Sequence, residues 1–532
     1  MKHLCSNVVR CTARYVALGL AAAALSACAV ADSDPQVETD AGWLQGTRDG
    51  NVQIFKGVPF AAAPIGELRW RAPQQVESWE GVRSAAAYAP MCAQRETGSL
   101  WFELTEVSED CLYLNIWAPE IAADEQPLPV MISVHGGGLL QGTGNIVRQN
   151  GIALARQGVI YISLNYRLSA FGFMTHPALT ALHPDEPQGN YGLQDVAAAL
   201  EWVQSNIAAF GGNPEKVTLF GTSAGADIIN ALMVMPRTAG LFQRAISQSS
   251  SVGIGPVGYQ DRRVGFMPAT DRLGQAFVKR AGLAEAADIA AALYALSTQD
   301  ILATLVKADR FPLVIDGTVL PDQLNTLFAA GKAHAVPYLT GTNSFEASLA
   351  YDIGVAALAP ANFAKQLKAA DKNRLYPQLE GARRDEAVFS DIAFTANSRY
   401  LATQMQRMGV PVYRYYFNYV ADARRDIDPG AMHGSDVAYV VGRLDADIDL
   451  VSVSTADQRI SELMMAYWVQ FAHTGNPNRE GLPAWPAFDP AAGNLLEIAA
   501  TPVVREQFLA ERMAFHIDRG QASFAKMVGV GP

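Results

Sequence analysis

The stretch from Val217 to Met235 constrains this chain more than any other. Val217-Thr218-Leu219-Phe220 is a short, mostly apolar run of the kind that forms a strand buried on both faces. It passes without a loop into Gly221-Thr222-Ser223-Ala224-Gly225, and the residues from about Ala224 to Met235 read as a helix. A strand that becomes a helix this abruptly must carry its serine on a tight, strained turn. Glycines are needed on both sides, because side chains there would collide with neighbouring elements. The turn lifts the Ser223 hydroxyl above the end of a sheet and aims a helix N-terminus at whatever reacts with it.

The Gly-x-Ser-x-Gly pattern alone is a weak signal; its setting between strand and helix is what gives it meaning. A second, independent element lies upstream. Pro129-Val130-Met131-Ile132-Ser133-Val134 is another buried-strand run, and it ends in His135-Gly136-Gly137-Gly138. Glycine backbone presents N–H groups with no side chain in the way. Gly137, Gly138 and Ala224 are therefore the candidate donors to a developing oxyanion, and Ser223 is the candidate nucleophile.

The rest of the chain fits an α/β class. Val159 to Leu164 is a further buried strand. Leu193 to Phe210 has helical spacing and stops at Gly211-Gly212-Asn213-Pro214. Val336 to Thr340 and Val412 to Phe417 read as core strands, and Ala456 to His473 as a long amphipathic helix. Strands alternating with helices predict a mostly parallel central sheet with helices on both faces. Val252 to Leu305, Ala-rich in its second half, reads as a large helical insertion forming a lid or gorge wall. No linker divides the body of the chain into independent domains.

Composition excludes some function classes. The 532 residues are 50% hydrophobic and 17% charged, a globular balance far from disorder. The formal net charge is −11 and no basic cluster stands out, so nucleic-acid binding has nothing to rest on.

The N-terminus reads as a targeting segment. Lys2, Arg10 and Arg14 precede an apolar run from Tyr15 to Ala27, followed by small residues. This is a secretory leader over residues 1–27, too short for a confident membrane span. Leu25-Ser26-Ala27-Cys28 is similar to a bacterial lipobox, which would leave Cys28 lipidated as the one means of membrane attachment; Ala29-Val30-Ala31 also fits ordinary cleavage. Both routes imply export. Cys5, Cys11 and Cys28 lie in or at the end of the leader, leaving Cys92 and Cys111 in the mature body. In an exported chain these two are disulfide candidates, with two separate buried thiols as the alternative.

Several longer words now carry a resemblance. Phe55-Lys56-Gly57-Val58-Pro59-Phe60, Ser108-Glu109-Asp110-Cys111-Leu112-Tyr113-Leu114-Asn115-Ile116-Trp117, His135 to Gly138, Phe210 to Pro214 and the serine turn occur in one order between about Gly42 and Pro486. In this the chain resembles the type-B carboxylesterases, which include the cholinesterases, and within them the bacterial para-nitrobenzyl-esterase-like branch. The resemblance implies an α/β-hydrolase fold over residues 32–532 and hydrolysis of carboxylic esters of small molecules through an acyl-enzyme. It implies no metal and no organic cofactor. The family order of Ser, acid, His places the acid at Glu346, in Gly341-Thr342-Asn343-Ser344-Phe345-Glu346, and the base at His433, in Met432-His433-Gly434-Ser435-Asp436. It also pairs Cys92 with Cys111 and gives Asp436 a supporting role for the histidine loop. Asp352 and Asp316 remain alternative acids. His334 and His473 compete as bases, His334 at the wrong end of a strand and His473 at a helix C-terminus, where its charge favours the dipole.

Departures from the cholinesterase pattern bear on specificity. Thr222 stands where those enzymes carry Glu before the nucleophile. Trp101 matches their choline-binding Trp, Leu139 replaces a Phe after the glycines, and Leu349 replaces a gorge aromatic. The expectation is a less cation-selective, more aliphatic pocket, with Trp101 as a wall. Two other readings stand beside this one: cleavage of amides, carbamates or bulky natural-product esters by the same residues, and a non-catalytic cholinesterase-like binding protein. Oligomeric state is not readable from the sequence.

Overall fold

The computed structural model describes residues 34–95, 103–122, 124–307, 309–353, 358–446 and 452–529. The leader over residues 1–27, Cys28 and Trp101 lie outside them. An eleven-stranded sheet organises the chain. Its strands are β1 (Thr47–Asp49), β2 (Val52–Pro59), β3 (Tyr113–Pro119), β4 (Leu128–Val134), β5 (Ile160–Leu164), β6 (Gly212–Thr222), β7 (Arg244–Gln248), β8 (Tyr338–Asn343), β9 (Val412–Phe417), β10 (Leu495–Ile498) and β11 (Val503–Arg505). Their spatial order is β11-β10-β9-β8-β7-β6-β4-β5-β3-β2-β1. Every pairing from β5 through β10 is parallel, and the two margins are antiparallel. This is the α/β-hydrolase fold, with a mostly parallel sheet.

Why these strands are apolar throughout follows from the layers. Side chains alternate across a strand. Val130, Ile132 and Val134 of β4 join one core with Leu219 of β6, while Met131 and Phe220 join the other. The first core is covered by α1 (Tyr191–Asn206), α2 (Ala224–Leu232) and α3 (Ala396–Arg407); the second by α4 (Thr455–Thr474). Both faces are buried, so the strands carry no polar face.

The expectation of a mostly helical insertion needs correction. Helices occupy Thr270–Arg280, Ile289–Tyr294 and Thr298–Thr304, but 252–269 holds only a two-residue strand, Gly258–Tyr259, paired with Val314–Ile315. Val252, Ile254 and Val257 of that stretch pack as apolar side chains against the first core, without helical spacing. Glu109, within one of the long words, receives a two-point contact from Arg69 at 2.6 Å on each side and accepts the Thr298 hydroxyl at 2.6 Å. That carboxylate ties the insertion to the main body.

Cys92 and Cys111 are bonded to each other, closing a loop over 19 positions, so the alternative of two separate thiols falls. Replacing both by alanine is expected to lower the unfolding free energy by on the order of 3 kcal/mol. Denaturant midpoints of the oxidised protein and the Cys92→Ala/Cys111→Ala variant check this; equal midpoints would contradict it. Among the described residues no helix is long and apolar enough to cross a membrane.

Candidate active site

The serine turn is built by close approach. Gly221 and Val134 are register partners in β6 and β4. A Cβ on Gly221 would lie 2.5 Å from the Val134 carbonyl oxygen, and one on Gly225 only 2.1 Å from it. No other residue fits either position. Between them Ser223 takes φ 57° and ψ −128°, a conformation costly for a side-chain-bearing residue, and α2 begins at the next position. The Ser223 N–H donates to the Gln248 carbonyl at 2.9 Å, which anchors the strained turn to β7.

Glu346 and His433 come together through the backbone beyond β8. Phe345 and Met432 form an isolated parallel bridge, and the Phe345 N–H donates to the Ala431 carbonyl at 2.8 Å. The next residue on each segment is Glu346 on one and His433 on the other. Both are buried, and His433 Nδ1–H donates to Glu346 Oε2. Glu346 Oε1 accepts from the Ser249 hydroxyl at 2.6 Å and the Asn343 N–H at 2.7 Å. Ser348 Oγ accepts the His433 N–H at 2.8 Å, and the Phe394 ring lies 4.9 Å from the imidazole. With Nδ1 held this way, His433 Nε2 has no hydrogen-bond partner among the described residues. It lines the same cavity as Ser223.

Charge at this ring is set by opposing effects. Burial disfavours the imidazolium, while the Glu346 carboxylate favours it through charge and hydrogen bond, with smaller help from Asp436 and Asp352. The balance raises the His433 pKa above its ordinary value. Asp436 itself is buried and its pKa is raised by desolvation, against hydrogen bonds from Gln248 (2.7 Å), Tyr415 (2.8 Å) and Asn343 (3.2 Å). Asn343 also donates to the Met432 carbonyl at 2.7 Å. Asp436 thus braces the histidine loop.

The glycine loop lies beside the turn. Gly137 has φ 115° and Gly138 φ 66°; a Cβ on Gly137 would sit 2.0 Å from the Gln141 carbonyl oxygen. Among the described residues the N–H groups of Gly137, Gly138 and Ala224 have no backbone acceptor. His135 is buried with its pKa lowered to about 4 by desolvation, so its ring is neutral; it stacks on Tyr166 at 4.3 Å.

Above these groups is a cavity of about 340 Å³. Leu140, Ile146, Leu305, Val306, Leu349 and Val437 supply aliphatic surface, and no Phe, Tyr or Trp among the described residues lines it. Leu349 and Thr222 line the cavity. Leu139, with a positive φ of 62°, lies in the core at 8% exposed, and Leu140 lines the cavity.

The competing residues are placed elsewhere or otherwise used. Asp316 accepts the N–H groups of Thr318, Val319 and Leu320 and organises a turn. His334 contacts Thr238 and the Met235 carbonyl, and His473 ends α4. Asp352 lines the cavity, but the Nδ1 contact of His433 goes to Glu346. Sequence reasoning missed Ser249 and Ser348. A signal existed for Ser249: the polar run Ser247 to Ser251 spans the carboxyl end of a buried parallel strand, and such strand ends are where sites form.

The arrangement can remove a proton from a hydroxyl at Ser223, stabilise the imidazolium that results and hold an oxyanion on backbone N–H groups. Comparison with known proteins gives the family. A sequence model described as "Carboxylesterase family" matches residues 33–388 and 380–516. Fumonisin B1 esterase of Sphingopyxis macrogoltabida is 33% identical over 488 residues, covering 88% of each chain. Liver carboxylesterase 1 of Oryctolagus cuniculus is 30% identical, covering 93% of this chain and 96% of its own. A solved structure of a thermophilic PNB esterase superposes with a TM-score of 0.78 at 30% identity, over 91% of this chain and 100% of that one. With the fold, the strained serine turn and these relatives in agreement, the chain belongs to the carboxylesterase family and is a carboxylic ester hydrolase.

Proposed function

We propose that this enzyme cleaves esters by double displacement, with Ser223 as nucleophile, His433 as general base and acid, and Glu346 as the group that orients and charges the imidazole. The observation that carries this is the buried His433–Glu346 pair, whose unpartnered Nε2 shares a cavity with the strained Ser223. His433 takes the hydroxyl proton as Ser223 Oγ attacks the ester carbonyl. The N–H groups of Gly137, Gly138 and Ala224 hold the tetrahedral oxyanion. The alcohol leaves with the proton from His433, and water, activated by the same ring, frees the acid. A serine-directed phosphonate should stop turnover and add its mass to the peptide bearing Ser223. Labelling at another residue would sink the assignment.

The base must be neutral in the free enzyme, so kcat/KM rises with pH through the His433 pKa. That pKa is raised, so the half-maximal point is expected above about 6.5, the ordinary histidine value. Glu346→Gln removes the carboxylate and leaves the desolvation, which should move the limb to lower pH. An unmoved limb would mean that another group titrates.

Bulky esters are a second reading within the same chemistry, favoured by the aliphatic cavity and by a relative named for fumonisin B1. Export is also part of the proposal, with residues 1–27 as leader; the Cys92–Cys111 bond suits an oxidising compartment. The mass of the mature N-terminus distinguishes a lipidated Cys28 from ordinary cleavage.

A further inference from the structure

The cavity over Ser223 carries a charged wall that ester cleavage as such does not require. Arg95, Lys307 and Arg310 line it from two segments. Arg95 lies three positions past Cys92, next to the disulfide, and donates to the Leu305 carbonyl, which ties the two segments together. Half-buried Arg310 donates to the carbonyls of Lys307 and Asp309 at 2.9 and 2.7 Å. These acceptors are neutral.

The carboxylate of this stretch is already engaged. Asp309 Oδ2 accepts from Arg280 at 2.6 Å and from the Val306 N–H at 2.9 Å. Arg310 feels the charge of the adjacent Asp309, whose carboxylate is bonded to Arg280. Thr222, next to the nucleophile, is uncharged, and the nearby Glu346 is committed to His433. Arg148 lines the cavity as well, and the carboxylates facing it are Asp309 and Asp352, so in a chain of net charge −11 cations outnumber carboxylates around this one cavity.

We propose that the preferred substrates are esters bearing a carboxylate on the portion that lies toward Arg95, Lys307 and Arg310. This rests on Ser223 being the reacting group. Guanidinium forks match carboxylates in geometry as well as charge. A cleft with an excess of one sign of charge raises the local concentration and capture rate of the opposite ion, and salt screens the effect.

The test compares the mono-nitrophenyl ester of glutaric acid with nitrophenyl pentanoate on the purified protein, corrected for spontaneous hydrolysis. The readout is the ratio of their kcat/KM values. Replacing Arg310 and Lys307 together by Gln is expected to lower that ratio by about tenfold, chiefly through KM. Arg310→Lys, which keeps the charge, should retain most of it. Raising the salt should lower the wild-type ratio, and this decides the matter even if the Gln variants do not fold. A wild type that cleaves both esters with a ratio unmoved by salt or by substitution overturns the proposal and leaves the serine mechanism standing. A wild type that cleaves neither ester overturns the serine mechanism, and this proposal with it.

Discussion

Ser223→Ala is expected to lower kcat on nitrophenyl butyrate by on the order of 10⁶ without unfolding the protein. The substitution removes one oxygen. It leaves Gly221 and Gly225 in their contacts with Val134, and it leaves the N–H bond to Gln248. The turn is held by that backbone bond and the start of α2, so thermal stability should change little. The donors at Gly137, Gly138 and Ala224 remain, and substrate binding should persist. A residual rate of about 10³–10⁴ over water is expected from them alone. Steady-state kinetics beside a melting curve gives the answer. Retention of more than about one hundredth of the activity would mean that Ser223 is not the nucleophile.

Glu346→Gln carries the second largest effect, a fall in kcat of about 10⁴ with KM little changed. Glu346 is fully buried and accepts three hydrogen bonds, from Ser249, Asn343 and His433 Nδ1. An amide of the same size can accept at one end only. With its NH₂ toward the ring, Nδ1 must accept, the proton moves to Nε2, and Nε2 can no longer take the serine proton. With its NH₂ toward Ser249 and Asn343, two donors meet a third. Either orientation disables the base or strains its support. A loss under about tenfold would assign the orienting role to another carboxylate, with Asp352 next in line because it lines the same cavity.

Much of this was legible without a structure, because local physics dictates it. A strand that becomes a helix across Gly221 to Gly225 has one workable geometry, and that geometry displays Ser223. The unbroken, mostly apolar runs of β4 and β6 required two covered faces, hence an α/β sheet. The three glycines after His135 announced a backbone rich in free N–H groups. The acid and the base were named by likeness of their loops to a family, since nothing within Glu346 or His433 marks them; 87 positions separate them. The bridge between Phe345 and Met432, with the bonds of Asn343 and Ser348 beside it, brings them into contact, and such pairing of distant segments has no local sequence signature. The same reason hid Ser249 and Ser348, two serines among many until the sheet places their hydroxyls on Glu346 and on the His433 backbone. Leu139 has a positive φ and lies in the core, and no hydrophobic pattern encodes such a backbone angle. The cation wall is the clearest case. Arg95 and Arg310 are more than 200 positions apart, and in the sequence they are ordinary charges in an acidic protein. The sequence by itself determined the turn, the layers and the serine that the turn displays, because each depends on neighbours a few residues away. The tertiary structure alone decided which carboxylate meets which ring and what sign of charge faces the substrate, because those depend on how distant segments pack.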